Sequence, residues 1–312
     1  MAVTTAPVRT SGPGRPPDRG RRGGLDRALP YLLLLPAVIV LGLVSLYPIW
    51  AGAHASLTTY LYGRPIAGAG LKNYTDTWHD PVFWQAMRVT LKFVVLAVVI
   101  ETVLGLALAM LVARDMRGAR FIRLSILAPM TVAPVVVGVI WRLIYESQTG
   151  FVNPLFSSLG LGAPNVLSHQ GSAFYGLVLV DVWEWTPLLF LVCLAGLQSM
   201  PQEPLEAAAV DGAKPLRLFF NHTLPLLLPV LAVGVVLRLI DAVGTFDQIF
   251  VLTGGGPGNA TQLISIYAYN TAFNFTDYGH GAAMLIALLA FALLLVVVAL
   301  TLMRRAARRV SR

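Results

Sequence analysis

Long apolar runs recur along this chain and alternate with shorter stretches rich in glycine, proline, asparagine and charge. A run of about 20 apolar residues spans the hydrocarbon core of a bilayer as one helix. We therefore predict six transmembrane helices, at residues 30–56, 88–113, 123–145, 173–198, 223–243 and 278–303. The predicted fold class is an all-α integral membrane protein.

The composition agrees with this class, because hydrophobic residues make up 56% of the chain and charged residues only 12%. Soluble domains carry about 25% charged residues. The net charge of +8 does not indicate nucleic-acid binding, since the basic residues lie mainly at the two ends and in short loops between runs. Cys193 is the single cysteine, so an internal disulfide is excluded.

Lysine and arginine are unevenly divided between the two sides of the predicted membrane. The segments on the side of the termini hold seventeen of them, whereas the three segments on the other side hold only Arg64 and Lys72. Cytoplasmic segments carry an excess of basic residues. We therefore place both termini and the segment 199–222 in the cytoplasm.

The ends of the chain differ from its apolar middle. Residues 1–29 are rich in proline, glycine and arginine, a composition that predicts a disordered basic tail. Residues 30–303 form the predicted transmembrane domain, and residues 304–312 form a second basic tail. The first run is longer than the apolar core of a signal peptide. We interpret it as a retained first span; a cleaved signal is the alternative.

The segment 199–222 has the features of a helix-turn-helix at a membrane surface. Pro204 and Pro215 suit the first position of a short helix, and Gly212 suits a left-handed residue between two helices. Consecutive alanines would let another surface approach the backbone closely. We predict a docking helix with its turn at Glu206, Ala207, Ala208, Ala209, Val210, Asp211 and Gly212. An ordinary amphipathic loop helix is the alternative.

This segment resembles the EAA loop in the permease subunits of ABC importers. Glu206-Ala207-Ala208 is followed by Gly212 and then by Leu224-Pro225 at the spacing of that family, with His222 where isoleucine is usual. The resemblance implies a type I ABC importer-like fold. It also implies that the segment is a cytoplasmic coupling helix-turn-helix, which inserts into a groove on an ATPase subunit.

Ionisable side chains within the predicted spans are candidate functional residues, because charges in a membrane usually face protein or water. The candidates for a substrate pathway, with the indoles among them, are Asp181, Trp183, Glu184, Trp185, Arg238 and Asp241. Aromatic rings beside hydrogen-bonding groups suit the faces and hydroxyl rims of a sugar. Alternatively, these charges pair to hold helices together, as Arg238 and Asp241 can from one helical face. For Glu101, within the second run, a structural role is favoured.

A glycine-rich stretch, 253–258, follows the fifth run. No lysine follows these glycines and the chain has no Walker pattern, so the chain is not itself an ATPase. The five histidines have no spacing typical of a metal site, and no nucleophile pattern occurs. We therefore predict no catalytic, cofactor-binding or metal-binding residues.

Two further regions resemble carbohydrate importer permeases of the maltose/glycerol-phosphate type in a minimal six-span form. The matching residues are Phe246-Asp247, 251–257, Thr261, Tyr267 and Ala272-Phe273, together with Pro36, Tyr47-Pro48, Ser56 and 70–74. The resemblance covers residues 28–305. It implies uptake of a di- or oligosaccharide, delivered by an extracytoplasmic sugar-binding protein, across the plasma membrane of a prokaryote.

The same resemblance implies the partners of the chain. These are ABC ATPase subunits, which bind ATP and Mg²⁺, and a second six-span permease subunit of different sequence. Membrane lipid is the surrounding solvent, and no nucleic acid is expected. Three alternatives stay open: glycerol phosphate or another small polar solute as cargo, a scaffold without transport, and a secondary transporter coupled to protons through Glu101 or Asp181.

Overall fold

The computed structural model describes residues 24–113, 118–201, 203, 208, 210 and 213–310. The chain divides into two compact units between Ala51 and Gly52. The described part of the first unit is a single apolar helix, the larger part of α1 (Gly24–Ser56). The predicted tail 1–29 and the last residues of the C-terminal tail lie mostly outside the described residues, so those assignments remain predictions.

The second unit is predominantly helical. Its elements in chain order are β1 (Thr58–Leu61), β2 (Arg64–Gly68), α2 (Lys72–His79), α3 (Pro81–Val112), α4 (Ala119–Leu127), α5 (Pro134–Tyr145), α6 (Val152–Ser158), α7 (Gln170–Gln198), α8 (Pro215–Gly244), α9 (Asp247–Leu252), α10 (Ile264–Tyr269) and α11 (Tyr278–Val310). A π-helical turn at Phe219–Thr223 lies within α8 just before Pro225. Proline has no N–H to donate, and such π turns accommodate an interrupted helical ladder.

One small element departs from the all-helical expectation. The strands β1 and β2 pair in an antiparallel hairpin in which Leu61 lies opposite Arg64. The two turn residues, Tyr62 and Gly63, have φ values of 50° and 75°. Two-residue turns that match the twist of a hairpin need positive φ at both positions. The hairpin lies outside every predicted span.

Five helices in the described part are long and apolar enough to cross a membrane, namely Tyr31–Ser56, Pro81–Val112, Gln170–Gln198, Pro215–Gly244 and Tyr278–Arg305. They contain five of the six predicted spans. The remaining one, predicted as a single helix over 123–145, is divided into α4, a 3₁₀ turn at Pro129–Thr131 and α5. Pro129 and Pro134 cause the division, since proline breaks a helical ladder and restricts the residue before it. The six-span count therefore remains a prediction.

The helices α3 and α7 form the most extensive helix pairing, and α8 packs against both. Gly105 of α3 lies against the backbone of α7, where a Cβ atom would come within 2.8 Å of the amide nitrogen of Phe190. Small residues at a crossing let helices in a membrane approach closely. This contact holds the polar side chains of the two helices within reach of one another.

Buried apolar side chains form two clusters along this bundle. The larger cluster includes Val98 of α3 and Leu239 of α8, and the smaller includes Ala109 of α3, Phe190 of α7 and Leu231 of α8. The ionisable residues described in the next subsection lie near the junction between the clusters on all three helices. The polar site is therefore enclosed by apolar packing above and below.

Polar contacts fix the N-terminal end of α3 against α10. Asp80 accepts a hydrogen bond from the amide of Val82 at 2.8 Å and another from the hydroxyl of Tyr267 at 2.6 Å. Deeper along α3, the Thr90 hydroxyl accepts a bond from the amide of Ile264 at 3.0 Å. Burial and the bond to Asp80 raise the pKa of Tyr267, so its hydroxyl stays protonated and able to donate.

Candidate functional site

The centre of the bundle holds a fully buried arginine from α8. Its guanidinium forms a two-pronged ion pair with Glu101 of α3, in which the Arg238 Nε–Glu101 Oε2 distance is 2.8 Å and the Nη2–Oε1 distance is 3.1 Å. Both side chains have zero exposure to solvent. Such fork geometry is the strongest arrangement available to an arginine and a carboxylate, and it joins two helices.

Two more carboxylates complete the shell of Arg238. Asp181 of α7 accepts a bond from Nη2, and Asp241, one turn along α8, lies 2.8 Å from Nη1. The second oxygen of Asp181 accepts a bond of 2.8 Å from the Gln248 amide of α9. We call Glu101, Asp181, Arg238, Asp241 and Gln248 the ionic cluster.

Two side chains of α7 extend the ionic cluster. The ring of Trp185 lies against the guanidinium of Arg238, with 5.2 Å between the ring centre and the guanidinium carbon. This is a cation–π contact. Glu184 is also buried, and its Oε2 accepts no hydrogen bond from any described residue. Carboxylates therefore outnumber the one guanidinium, which makes the site acidic.

Four helices must approach closely to bring the ionic cluster together. Gly138 of α5 lies against α9, where a Cβ would come within 2.8 Å of the Gln248 carbonyl oxygen. This contact lets α9 carry the Gln248 amide to Asp181. Removing a charge from water costs several kcal/mol, and only good pairing offsets that cost. The bonds to Arg238 supply that pairing inside an apolar bundle.

One edge of the ionic cluster opens into a small cavity of about 140 Å³. Trp185, Asp241 and Gln248 belong to both the cluster and the cavity wall, and the remaining wall residues are Pro134, Gly244, Thr245, Phe246 and Asp247. The side chain of Asp241 is 47% exposed, whereas that of Arg238 is not exposed at all. The cavity therefore presents carboxylates, an amide and two aromatic rings, with the cation behind them.

The structure separates Trp183 from the other pathway candidates. Its ring is 42% exposed, packs 5.6 Å from that of Trp141, and lines a different, mainly apolar cavity of about 430 Å³. An α-helix turns 100° per residue, so Trp183 lies about 160° from Asp181, whereas Trp185 lies only about 40° from it. Adjacency in the sequence grouped the two indoles, and the helical rotation divides them.

The predicted coupling segment is described only in part. Glu206, Ala207, Ala209, Asp211 and Gly212 lie outside the described residues. The side chain of Ala208 is buried and that of Val210 is 88% exposed. The Ala208 carbonyl accepts a bond of 3.1 Å from the amide of Ala213. The coupling helix and its turn therefore remain a prediction.

Sequence reasoning did not assign two members of the ionic cluster to the site. Glu101 was given a structural role, yet it contacts the same guanidinium as Asp181 and Asp241. Gln248 was not singled out, because a neutral amide in a loop between spans carries no signal of its own. Its neighbours Phe246 and Asp247 belong to a stretch that resembles sugar permeases, and that stretch was the available signal.

The arrangement contains ion pairs, an amide and aromatic rings, which bind and position a solute. Within the described ranges, no group of three or more His, Cys, Asp or Glu residues has the geometry to hold a metal ion. The chemistry of these side chains favours recognition of a polar molecule over a covalent reaction.

Residues 101–312 match the family described as "Binding-protein-dependent transport system inner membrane component". The chain belongs to this family. The match includes the ionic cluster and the coupling segment, and it confirms the resemblance to ABC-importer permeases. The chain is thus a multi-pass permease subunit, and ATP hydrolysis belongs to a separate subunit of such transporters.

Relatives of similar length support this membership. The chain is 39% identical over 274 residues to the trehalose/maltose transport system permease protein MalF of Thermococcus litoralis, with 86% of this chain and 91% of that protein covered. It is 35% identical to the trehalose transport system permease protein SugA of Mycobacterium tuberculosis, with 83% of each covered. It is 34% identical to the sn-glycerol-3-phosphate transport system permease protein UgpA of Yersinia enterocolitica, with 90% and 95% covered.

Solved structures show the same fold. A chain of a bacterial alginate ABC transporter, solved in complex with an alginate pentasaccharide-bound periplasmic protein, superposes with a TM-score of 0.79. Sequence identity is 22%, and 92% of this chain and 98% of that chain are covered. Another structure of an alginate-importing ABC transporter gives a TM-score of 0.77 at 23% identity, with 90% and 97% covered. The fold is that of a type I ABC importer permease.

Proposed function

We propose that this chain is the membrane subunit of an ATP-driven importer of a neutral di- or oligosaccharide. The observation that carries the proposal is the cavity beside the ionic cluster, where Trp185 and Phe246 lie next to Asp241, Asp247 and Gln248. Rings and hydrogen-bonding groups in one cavity match the two kinds of surface on a sugar. Relatives named for trehalose and maltose support the same substrate class.

The charge of the cavity disfavours an anionic cargo such as glycerol phosphate. Asp241 and Asp247 line it, and none of its described lining residues is basic. Arg238 lies behind the wall without solvent exposure, and its guanidinium is already bonded to three carboxylates. A phosphate would meet like charges there, which costs free energy. The scaffold and the secondary transporter do not fit the family of the chain.

The chain would act within a complex of several subunits. A sugar-binding protein outside the membrane delivers the substrate, and a second, different permease subunit completes the pathway. ABC ATPase subunits bind ATP and Mg²⁺ and contact the coupling segment at residues 206–212. The basic residues of the termini and of this segment place them in the cytoplasm by the positive-inside rule. This topology makes the membrane the plasma membrane of a prokaryote.

A transport assay tests the proposed substrate class. The chain is co-expressed with its partner subunits, reconstituted into vesicles with the binding protein, and assayed for ATP hydrolysis stimulated by maltose, trehalose or sn-glycerol 3-phosphate. We expect stimulation by a neutral disaccharide and none by glycerol phosphate. Stimulation by glycerol phosphate alone would overturn the substrate assignment, whereas hydrolysis without any ATPase subunit would overturn the assignment as a permease.

A crosslinking experiment tests the coupling segment. Val210→Cys places a thiol at an exposed position, and Ala208→Cys is a matched control at a buried position two residues earlier. We expect a crosslink from position 210 to the ATPase subunit and little from position 208. Gly212→Val should lower uptake and stimulated ATP hydrolysis together, since valine strains a left-handed turn. Labelling of position 210 only from outside the cell would contradict the topology.

A further inference from the structure

A second, larger cavity lies on the outside of the bundle, away from the ionic cluster. It has a volume of about 620 Å³ and is formed by side chains from α2, α3 and α11. Met87 and Leu91 form one wall, and Ala290, Phe291 and Leu294 form the other. We call it the α3–α11 groove. Its walls are apolar along most of its length, and the substrate pathway described above does not use it.

The groove begins near the end of α3 at which that helix starts. Trp78 and Trp84 meet there edge to face, with ring centres 4.7 Å apart, and the Trp84 indole donates to the Trp78 carbonyl at 2.8 Å. Trp78 is 64% exposed. Tryptophans concentrate at the boundary between membrane and water. The pair therefore places this end of the groove at the level of lipid headgroups.

One cation lines the groove at this level. Arg88 lies seven residues into α3, about 10 Å along the helix from Pro81 at 1.5 Å per residue. Its side chain is exposed, and it forms no hydrogen bond, ion pair or ring contact with any described residue. Lys92, one turn further on, differs, because its ammonium lies 4.3 Å from the centre of the Phe174 ring and outside the groove.

The size of the groove and its position narrow the choice of occupant. A sugar would find almost no hydrogen-bonding partner along the apolar walls. An acyl chain fits those walls and leaves its headgroup beside the tryptophan pair and Arg88. An arginine binds phosphate by paired N–H donors, and a negative headgroup complements an otherwise unpaired cation.

We propose that the α3–α11 groove is a binding site for an anionic phospholipid on the side of the membrane opposite the coupling segment. One acyl chain lies between Leu91 and Leu294, and the phosphate contacts Arg88. The proposal requires only that the chain spans a membrane, so it does not depend on which solute the transporter carries.

Native mass spectrometry of the intact transporter complex tests this site. The complex is titrated with phosphatidylglycerol or with phosphatidylcholine of the same acyl chains. We expect phosphatidylglycerol to bind about fivefold more tightly at one site, the ratio given by about 1 kcal/mol for one cation at a membrane surface. Arg88→Gln should remove this preference. Lys92→Gln, the matched control on the same helix, should keep it.

A second variant tests the apolar part of the groove. Ala290→Phe fills the space between α3 and α11, so one bound lipid of either kind should be lost from the mass spectrum. If that variant does not assemble, quenching of tryptophan fluorescence by bromine-labelled phosphatidylglycerol in wild type and Arg88→Gln gives the same information. Equal binding by wild type and Arg88→Gln would overturn the proposal. An efficient disulfide crosslink from Ala290→Cys to the second permease subunit would also overturn it, since that subunit would then occupy the groove.

Discussion

Arg238 and Arg88 are two arginines of one helical bundle in opposite surroundings. Arg238 is fully buried and bonded to carboxylates of α3, α7 and its own helix. Arg88 is exposed on α3 and has no bonding partner among the described residues. Inside the bundle no water can solvate a charge, so protein groups must neutralise it. At the membrane boundary, water or lipid headgroups do so instead.

The comparison also shows how an excess of carboxylates is tolerated. Only Asp241 of the cluster's three paired carboxylates reaches solvent through the cavity, whereas Glu101 and Asp181 are sealed between the two apolar clusters. The sealed pairs hold the helices together. The open one is available to a solute. One guanidinium thus joins a structural part of the site to a part that faces the pathway.

The strongest way to break the comparison is to remove each arginine in turn. Arg238→Met leaves Glu101 and Asp181 as buried, unpaired charges, which costs about 3–5 kcal/mol. Arg88→Met removes no protein contact and should change stability by about 0.5 kcal/mol or less. Thermal unfolding of the detergent-purified complex measures both. Neutralising the partners as well, in Glu101→Gln/Asp181→Asn/Arg238→Met, should restore part of the loss. Equal stabilities of the two single variants would contradict the contrast.

The carboxylates of the cluster should differ among themselves. Glu101→Gln breaks a buried, two-pronged ion pair and should cost about 2–3 kcal/mol of stability. Asp241→Asn changes a half-exposed partner, whose ion pair is worth about 1 kcal/mol or less. We expect Asp241→Asn to keep the complex assembled while lowering sugar-stimulated ATP hydrolysis. A larger loss of stability from Asp241→Asn than from Glu101→Gln would mean that the cavity edge, not the buried pair, holds the helices.

The two indoles of α7 sharpen the same contrast between pathway and lipid face. Trp185→Ala removes the ring against Arg238, a contact worth up to about 2 kcal/mol when it is desolvated. We expect uptake per assembled transporter to fall about tenfold. Trp183→Ala alters the other side of α7 and should leave uptake within about twofold. Uptake of labelled sugar, normalised to the amount of complex in the membrane, separates them, and equal effects would place both rings in one pathway.

The smallest effect is expected at the membrane boundary. Tyr267→Phe removes the hydroxyl that donates to Asp80 and leaves the ring in place. A neutral side chain bonded to a partly exposed carboxylate contributes about 1 kcal/mol. Thermal unfolding at neutral pH should therefore fall slightly, with transport unchanged. A loss as large as that of Glu101→Gln would show that the outer contacts, and not the ionic cluster, dominate the stability of the bundle.

Local features of the sequence predicted the helical class, the approximate spans and the coupling segment. Apolar length is a property of one segment, because each membrane helix must satisfy its own backbone bonds and match the bilayer alone. Five of the spans appear as single helices for that reason. The division of the third span at Pro129 and Pro134 also has a local cause, although tolerance of proline by membrane helices concealed it.

The composition of the site required the tertiary structure. Glu101 and Arg238 are separated by 137 positions, and Asp181 and Gln248 by 67, so no local pattern shows that they meet. Their contact depends on how closely α3, α7, α8 and α9 pack, which glycines such as Gly105 and Gly138 permit. The sequence by itself determined that charges lie within the membrane spans. Only the packing decided which charges pair, which indole joins them and which arginine is left for the lipid, because electrostatic pairing acts across helices that are distant along the chain.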